Sequence, residues 1–290
     1  MKNLILLLIL CLPSYVVAQD NKNVDKEKSY ILTDLSYQND AVFMGRRDSI
    51  SAPYIVPSIG YYDQSGLFAD ASLSYLTKSN EGRIDLFLLT AGYRFNSNKL
   101  SGTISGTKYF FNDKSYSIQS EVEGDISAIL SYDFDIFEAS VTASGYFSKN
   151  SNTDFFVGAQ LAKSLFAFDK SLEIKPTFSI YAGSQYFYQE YYRYNRIGNR
   201  KGNMAGQNQQ STTTVLGIEE VNKFNILNVE LSMPIRYYYK SFIFSFVPQW
   251  AFPQSNATIT TEDATIKEDL KNIFYWSAGI SFWFNTKREK

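Results

Sequence analysis

Histidine is absent from all 290 residues, which removes the commonest general base and metal ligand from any chemistry the chain could perform. A serine–lysine or carboxylate pair would not need it, but no motif marks one. The single cysteine, Cys11, lies in the N-terminal apolar run, so the rest of the chain has no thiolate for a metal and no disulfide. Glu262, Asp263, Glu268 and Asp269 lack the alternating spacing of a calcium loop and read as a solvated loop, with a helical turn through Ile266 and Leu270. Two sets of residues remain. One is aromatic and basic, running from Tyr186, Phe187 and Tyr188 through Tyr191, Tyr192, Arg193, Tyr194 and Arg196 to Arg200 and Lys201. Rings of this kind stack on sugars, and guanidinium groups grip phosphate or carboxylate. The other is a set of charges whose spacing puts them on one face of successive strands. These are Asp34, Asp70, Asp125, Asp133, Glu138, Glu173 and Glu230, against Arg94, Lys175 and Arg236.

The elements that position both sets are strands. In the stretch from Ile273 to Phe284, every second residue gives Phe274, Trp276, Ala278, Ile280, Phe282 and Phe284, while Tyr275, Ser277, Gly279 and Ser281 alternate with them. Rings at both ends of an apolar face with a short aliphatic middle fit two water–lipid boundaries. Eleven further stretches alternate in the same way: 31–37, 55–61, 67–75, 87–95, 100–109, 126–132, 137–147, 155–161, 172–180, 227–237 and 242–250. In the tenth of these the outward set is Leu227, Val229, Leu231, Met233, Ile235 and Tyr237. The stretch at 100–109 has the weakest alternation, and Pro53 and Pro57 place the second at a bulge or rim. Links after even-numbered strands are short and those after odd-numbered strands are mostly longer, the longest running from 186 to 223. No window beyond the leader has 18 consecutive apolar residues, and the negative mean hydropathy suits strands whose alternate residues face a polar lumen.

The final strand, with its aromatic end, resembles that of the outer-membrane β-barrel proteins of Gram-negative bacteria, and the Tyr, Phe, Lys and Asn bias resembles Bacteroidota-type barrels. The polar tail after Phe284 departs from a pattern in which the last aromatic is terminal. The resemblance implies an all-β fold: an antiparallel transmembrane β-barrel of about twelve strands, with short periplasmic turns, longer extracellular loops and both termini in the periplasm. The chain divides into a signal peptide at 1–18, a periplasmic lead at 19–28, the barrel at 29–284 and a polar tail at 285–290. Implied partners are outer-membrane lipid, lipopolysaccharide and the barrel assembly machinery. The near-neutral charge offers no basic stripe for nucleic acid, no cofactor is called for, and a monomer is expected. Outer-membrane phospholipases, lipid A deacylases and omptin-type proteases need a histidine that this chain lacks, so the chain reads as a non-enzyme. The 186–201 rings then read as an extension of the ninth strand, with the arginines meeting lipopolysaccharide phosphates, in preference to a ligand platform. The leading function is a passive or weakly selective channel for small solutes, its lumen lined by Asp34, Asp70, Glu138, Glu230, Arg94, Lys175 and Arg236. The alternative is a non-transporting adhesin or scaffold that presents the 186–223 loop with Tyr191, Tyr192, Arg193 and Arg196 at its surface.

Overall fold

The computed structural model describes residues 28–48, 51–148, 152–191, 215–219, 221–261 and 265–286. The leader and most of the tail therefore lie outside the described residues. The elements in chain order are β1 (Tyr30–Gln38), β2 (Tyr54–Tyr62), β3 (Leu67–Leu76), β4 (Arg83–Ser97), β5 (Leu100–Phe111), β6 (Val122–Asp133) and β7 (Glu138–Ser148). They continue with β8 (Asp154–Ala162), β9 (Leu165–Ala167), β10 (Leu172–Ile174), β11 (Thr177–Gly183), α1 (Tyr186–Tyr191) and β12 (Val215–Ile218). The last are β13 (Asn225–Ser232), β14 (Ile235–Tyr239), β15 (Phe242–Pro253), β16 (Thr258–Thr261), β17 (Thr265–Lys267) and β18 (Ile273–Asn285).

Neighbouring strands pair antiparallel around a closed wall of twelve, because β8 with β9, β10 with β11 and β13 with β14 each form one interrupted wall strand. The wall closes where β1 pairs with β18, from Tyr30 opposite Asn285 to Gln38 opposite Ser277. The interruptions have a common cause. Pro176 and Pro234 have no N–H to give to a ladder, and Pro248 sits in β15 beside them. The wall stays bonded across the break through Lys163 N to Pro176 O at 3.2 Å, Lys175 N to Pro234 O at 2.8 Å and Met233 N to Pro248 O at 3.1 Å. One side of the barrel therefore carries a line of prolines along which the ladders are interrupted. The turns at one end are tight and carry left-handed residues, among them Asn98, Asp135 and Lys240. Gly66 (φ +97°) allows no side chain, since a Cβ there would lie 2.1 Å from Arg94 O.

The alternation read from sequence sorts the two faces. Val141, Ile126 and Phe155 are 55 %, 56 % and 62 % exposed, whereas their inward neighbours Thr142, Asp125 and Phe156 are buried. Around the exterior, rings cluster at both rims, as in Phe242 against Phe282 at the turn end and Trp250 against Phe274 at the loop end. This is a transmembrane β-barrel: an apolar outer band between aromatic girdles, with every ladder closed. The stretch with the weakest alternation is a full twelve-residue strand, β5. Three expectations need correction. Leu227 does not face outward: the β11–β13 register slips between Tyr181 and Ala182, leaving Leu227 unopposed and fully buried while Ile226 is 52 % exposed. The stretch around Ile266 is not a helical turn, since β12, β16 and β17 form a separate three-stranded sheet at the loop end. Tyr186–Tyr191 does not prolong the ninth strand but forms α1.

The bulge makes a direct prediction. Leu227→Ala should destabilise the barrel by about 2–5 kcal/mol, the cost of a cavity in a packed core, and Ile226→Ala clearly less because lipid fills the vacated space. Urea unfolding in lipid vesicles measures both. A larger loss at Ile226 would mean that the strand runs without the bulge.

Candidate functional site

The natural site in such a barrel is its lumen. In the loop-end half the inward residues are buried on every side, among them Val56, Leu88, Thr107, Asn228, Gln249 and Tyr275. Partly exposed inward residues, such as Asp34, Asp70, Arg94, Glu138 and Lys175, lie toward the middle and the turn end.

What fills the loop-end half is the chain's own loops. The connection after β1 folds into a two-residue hairpin. Phe43 N donates to Arg46 O at 2.7 Å and Arg46 N to Phe43 O at 2.8 Å, with Met44 (φ 50°) and Gly45 (φ 74°) at the tip. A Cβ on Gly45 would stand 2.8 Å from Asn228 Oδ1 and 2.9 Å from Pro253 Cβ, so the tip presses on the inner wall. The Phe43 ring meets Tyr146, Phe156 and Phe187 with centroids 5.9, 5.7 and 4.8 Å apart, and all four rings are buried. Helix α1 closes over this cluster. Its first turn is held by the Asp154 carboxylate, which accepts from Phe187 N at 2.6 Å, Tyr186 N at 2.8 Å and Ser184 Oγ at 2.6 Å.

A buried ionic clasp joins three loops. Arg46, 1 % exposed, pairs with Glu268 at 3.3 Å, donates to Ser255 O and lies 4.6 Å from the Tyr188 ring centroid. The Tyr188 hydroxyl and Ala257 N also donate to Glu268, and the Tyr191 hydroxyl donates to Asp48. Outside the clasp, Tyr116 donates to Glu81 and holds that carboxyl below its usual range, with Lys78 and Arg83 over the Tyr116 ring.

The expected lumen charges face inward, and the fold pairs them. Arg236 Nη1 meets Glu173 at 2.9 Å, with Tyr238 and Ser164 hydroxyls donating to the same carboxylate at 2.8 Å each. Lys175 meets Glu138 at 3.1 Å, so Glu138 has a basic partner from two wall strands away that its own strand does not reveal. Glu230 accepts from the Tyr275 hydroxyl at 2.7 Å, Asp34 from Ser281 at 2.6 Å and Asp70 from Tyr62 at 2.6 Å. Asp125 accepts from Tyr109 at 2.7 Å. Asp133 ends β6 opposite Glu138 and accepts from Asp135 N at 2.8 Å. Arg94 donates to the Tyr30 hydroxyl at 2.9 Å and lies over the Tyr62 ring, capping a stack of Tyr30, Tyr62 and Phe68 at the turn end.

The surface-loop residues fare differently. Tyr191 is buried at 1 % and belongs to the plug, because α1 turns its ring inward against Tyr188. Tyr192, Arg193 and Arg196 lie outside the described residues. Sequence reasoning did not single out Phe43 or Arg46, and it read Glu268 as part of a solvated loop, whereas its side chain is 10 % exposed because it pairs with the buried Arg46. The one local signal was the Met44-Gly45 pair as a turn, and nothing in the chain says where a hairpin tip docks.

No protein-family model matches the chain, and no curated protein does. Solved structures to which it is similar include a KdgM porin, at 8 % identity and a TM-score of 0.46, with 88 % of this chain and 99 % of that one covered. A NanC porin gives 8 % identity and 0.47, covering 87 % and 98 %. LpxR from Salmonella typhimurium gives 12 % and 0.43, covering 87 % and 100 %.

The buried Glu173–Arg236 pair sets a second prediction. Arg236→Met should cost about 3–5 kcal/mol, because it strands a carboxylate away from water, and adding Glu173→Leu should recover most of the loss. Equilibrium urea unfolding of the single and double variants reads the coupling. Additive losses would mean that the two side chains do not act as a pair.

Proposed function

We propose that the protein is a channel-type barrel of the bacterial outer membrane, held closed by its own extracellular loops. It is a small-solute channel with a built-in stopper. The observation that carries this reading is the Phe43–Arg46 hairpin seated against the inner wall, with the loop-end half of the lumen buried around it. A barrel made only to hold itself in the membrane could be filled by wall side chains, as narrow barrels are. Here the wall offers small groups such as Ser72, Ser74, Ser105 and Ser144 beside rings such as Tyr146 and Phe156, and a separate loop inserts Phe43 and Met44 among them. A stopper attached through a few clasp residues can leave without unfolding the wall. The short turns are assigned to the periplasm and the long loops to the outside, in keeping with an even strand count and a leader-like N-terminus.

The second reading, a non-transporting surface protein, draws on the same burial: a lumen closed by its own core needs no solute. Planar-bilayer recording separates the two. Wild type should conduct rarely, and a variant with residues 42–47 replaced by two glycines should open often. If the shortened variant folds and stays as silent as wild type, the non-transporting reading stands. In the opened variant, Glu138→Gln leaves Lys175 without its carboxylate, so the reversal potential should move toward anions. Orientation has its own test. A tag inserted after Asn80 should be labelled on intact cells and one after Phe134 only after lysis, and the opposite pattern would invert the assignment.

A further inference from the structure

Four inward side chains beneath the stopper form a polar patch on neighbouring wall strands. They are Asn228 and Glu230 on β13, Gln249 on β15 and Tyr275 on β18, each between 1 % and 3 % exposed. The residue of β15 opposite Glu230 is only Ala251, which leaves the way clear for the Tyr275 hydroxyl to reach the Glu230 carboxylate at 2.7 Å from the strand beyond. Asn228 Nδ2 donates to the same carboxylate at 3.5 Å, and Gln249 stands directly opposite Tyr275.

The patch is incomplete. Among the described residues, Asn228 Oδ1 and Gln249 Nε2 have no hydrogen-bond partner, although both are shut away from water. Buried polar atoms in this condition are rare and costly. What covers them is the hairpin, and its side chains bring nothing that they can bond. Val42 packs on Tyr275 and Ala251. Gly45 lies against Asn228, where a Cβ would stand 2.8 Å from Oδ1. An aliphatic group and a bare glycine thus keep water out and leave the two amides unanswered.

The unanswered atoms describe a ligand. Asn228 Oδ1 needs a donor, Gln249 Nε2 needs an acceptor, and the Glu230 carboxylate beside them repels an anion. A cation would suit the oxygens but would meet the Gln249 N–H with the wrong sign. A hydroxyl both donates and accepts, so a molecule with adjacent hydroxyls can serve all of them.

We propose that this patch is a binding site for a neutral sugar, and that the hairpin occupies it in the closed barrel, so that sugar and stopper compete. The inference rests on the channel reading and gives that channel a solute class. A sugar that binds only the uncovered patch shifts the balance toward the open form in proportion to its occupancy.

Saturation-transfer NMR detects weak binding without needing conduction, so it tests the site apart from the channel. The probes are glucose, glucuronate and the ethanolammonium ion, with the barrel folded in detergent. The variant with residues 42–47 replaced by two glycines should bind glucose at least about tenfold more tightly than wild type, in which only the uncovered fraction is competent. Arg46→Ala, which breaks the clasp, should fall between the two, and it supplies the uncovered patch if heat-dependent gel mobility shows the shortened variant unfolded. In the uncovered barrel, Gln249→Met and Asn228→Leu should each weaken glucose by about tenfold. Glucuronate should bind more weakly than glucose. No glucose binding in the uncovered barrel, equal affinity with and without the hairpin, unchanged affinity in both amide variants, or tighter binding of ethanolammonium or glucuronate than of glucose would each overturn the proposal. A barrel that binds glucose as expected yet never conducts would refute the channel and leave the site standing, whereas one that conducts without binding glucose would refute the site alone.

Discussion

In hydrocarbon no water is available for a backbone N–H or C=O, so each must be paired within the chain. For strands this means that the sheet has no free edge, and the structure depends on the β1–β18 ladder that joins its two ends. The remaining architecture follows from that closure. Ladder bonds fix side chains alternately in and out, the outward set meets lipid and takes apolar character, and the inward set is left with a cylinder to fill. The prolines are accommodated under the same constraint. Where Pro176 and Pro234 cannot donate, carbonyls and amides of neighbouring strands bond across the interruption and the wall stays joined.

Filling the cylinder is the second problem, and the two halves solve it differently. Toward the turn end, wall side chains meet one another: the Tyr30–Tyr62–Phe68 stack under Arg94, and the Glu173–Arg236 and Glu138–Lys175 pairs. Carboxylates outnumber bases among the lumen charges, and each described one pairs with a cation or accepts from a hydroxyl or a backbone amide. Toward the loop end, small serines and threonines leave room, and the Phe43–Arg46 hairpin, α1 and the β16–β17 hairpin occupy it, packing against wall rings such as Tyr109, Tyr146, Phe156 and Tyr181. A buried charge there is expensive unless it is paired and bonded. Arg46 meets that demand with Glu268, Ser255 O and the Tyr188 face together. Three separate loops thus have to be in place at once.

The sequence alone determined the all-β class, the twelve wall strands, the parity of turns and loops and the outward face of nearly every strand. These follow from a period of two and from turn residues, and each is a property of a few consecutive side chains. The lumen charges were legible for the same reason: parity shows that Asp34, Glu173 or Arg236 points inward. Which charge meets which was not legible, because Glu138 and Lys175 come from strands separated in sequence by a third, and only the closed wall brings them within 3.1 Å. Leu227 escaped parity because a bulge is a mismatch between two strands and leaves no mark on either one. The plug was the least visible. Tyr191, Arg46 and Glu268 look like surface residues by type, and whether such residues face solvent or a cavity depends on the width of the barrel and the room its small lumen side chains leave. That volume exists only once the chain has closed on itself, so tertiary structure alone decided that the loops fold inward and fill it.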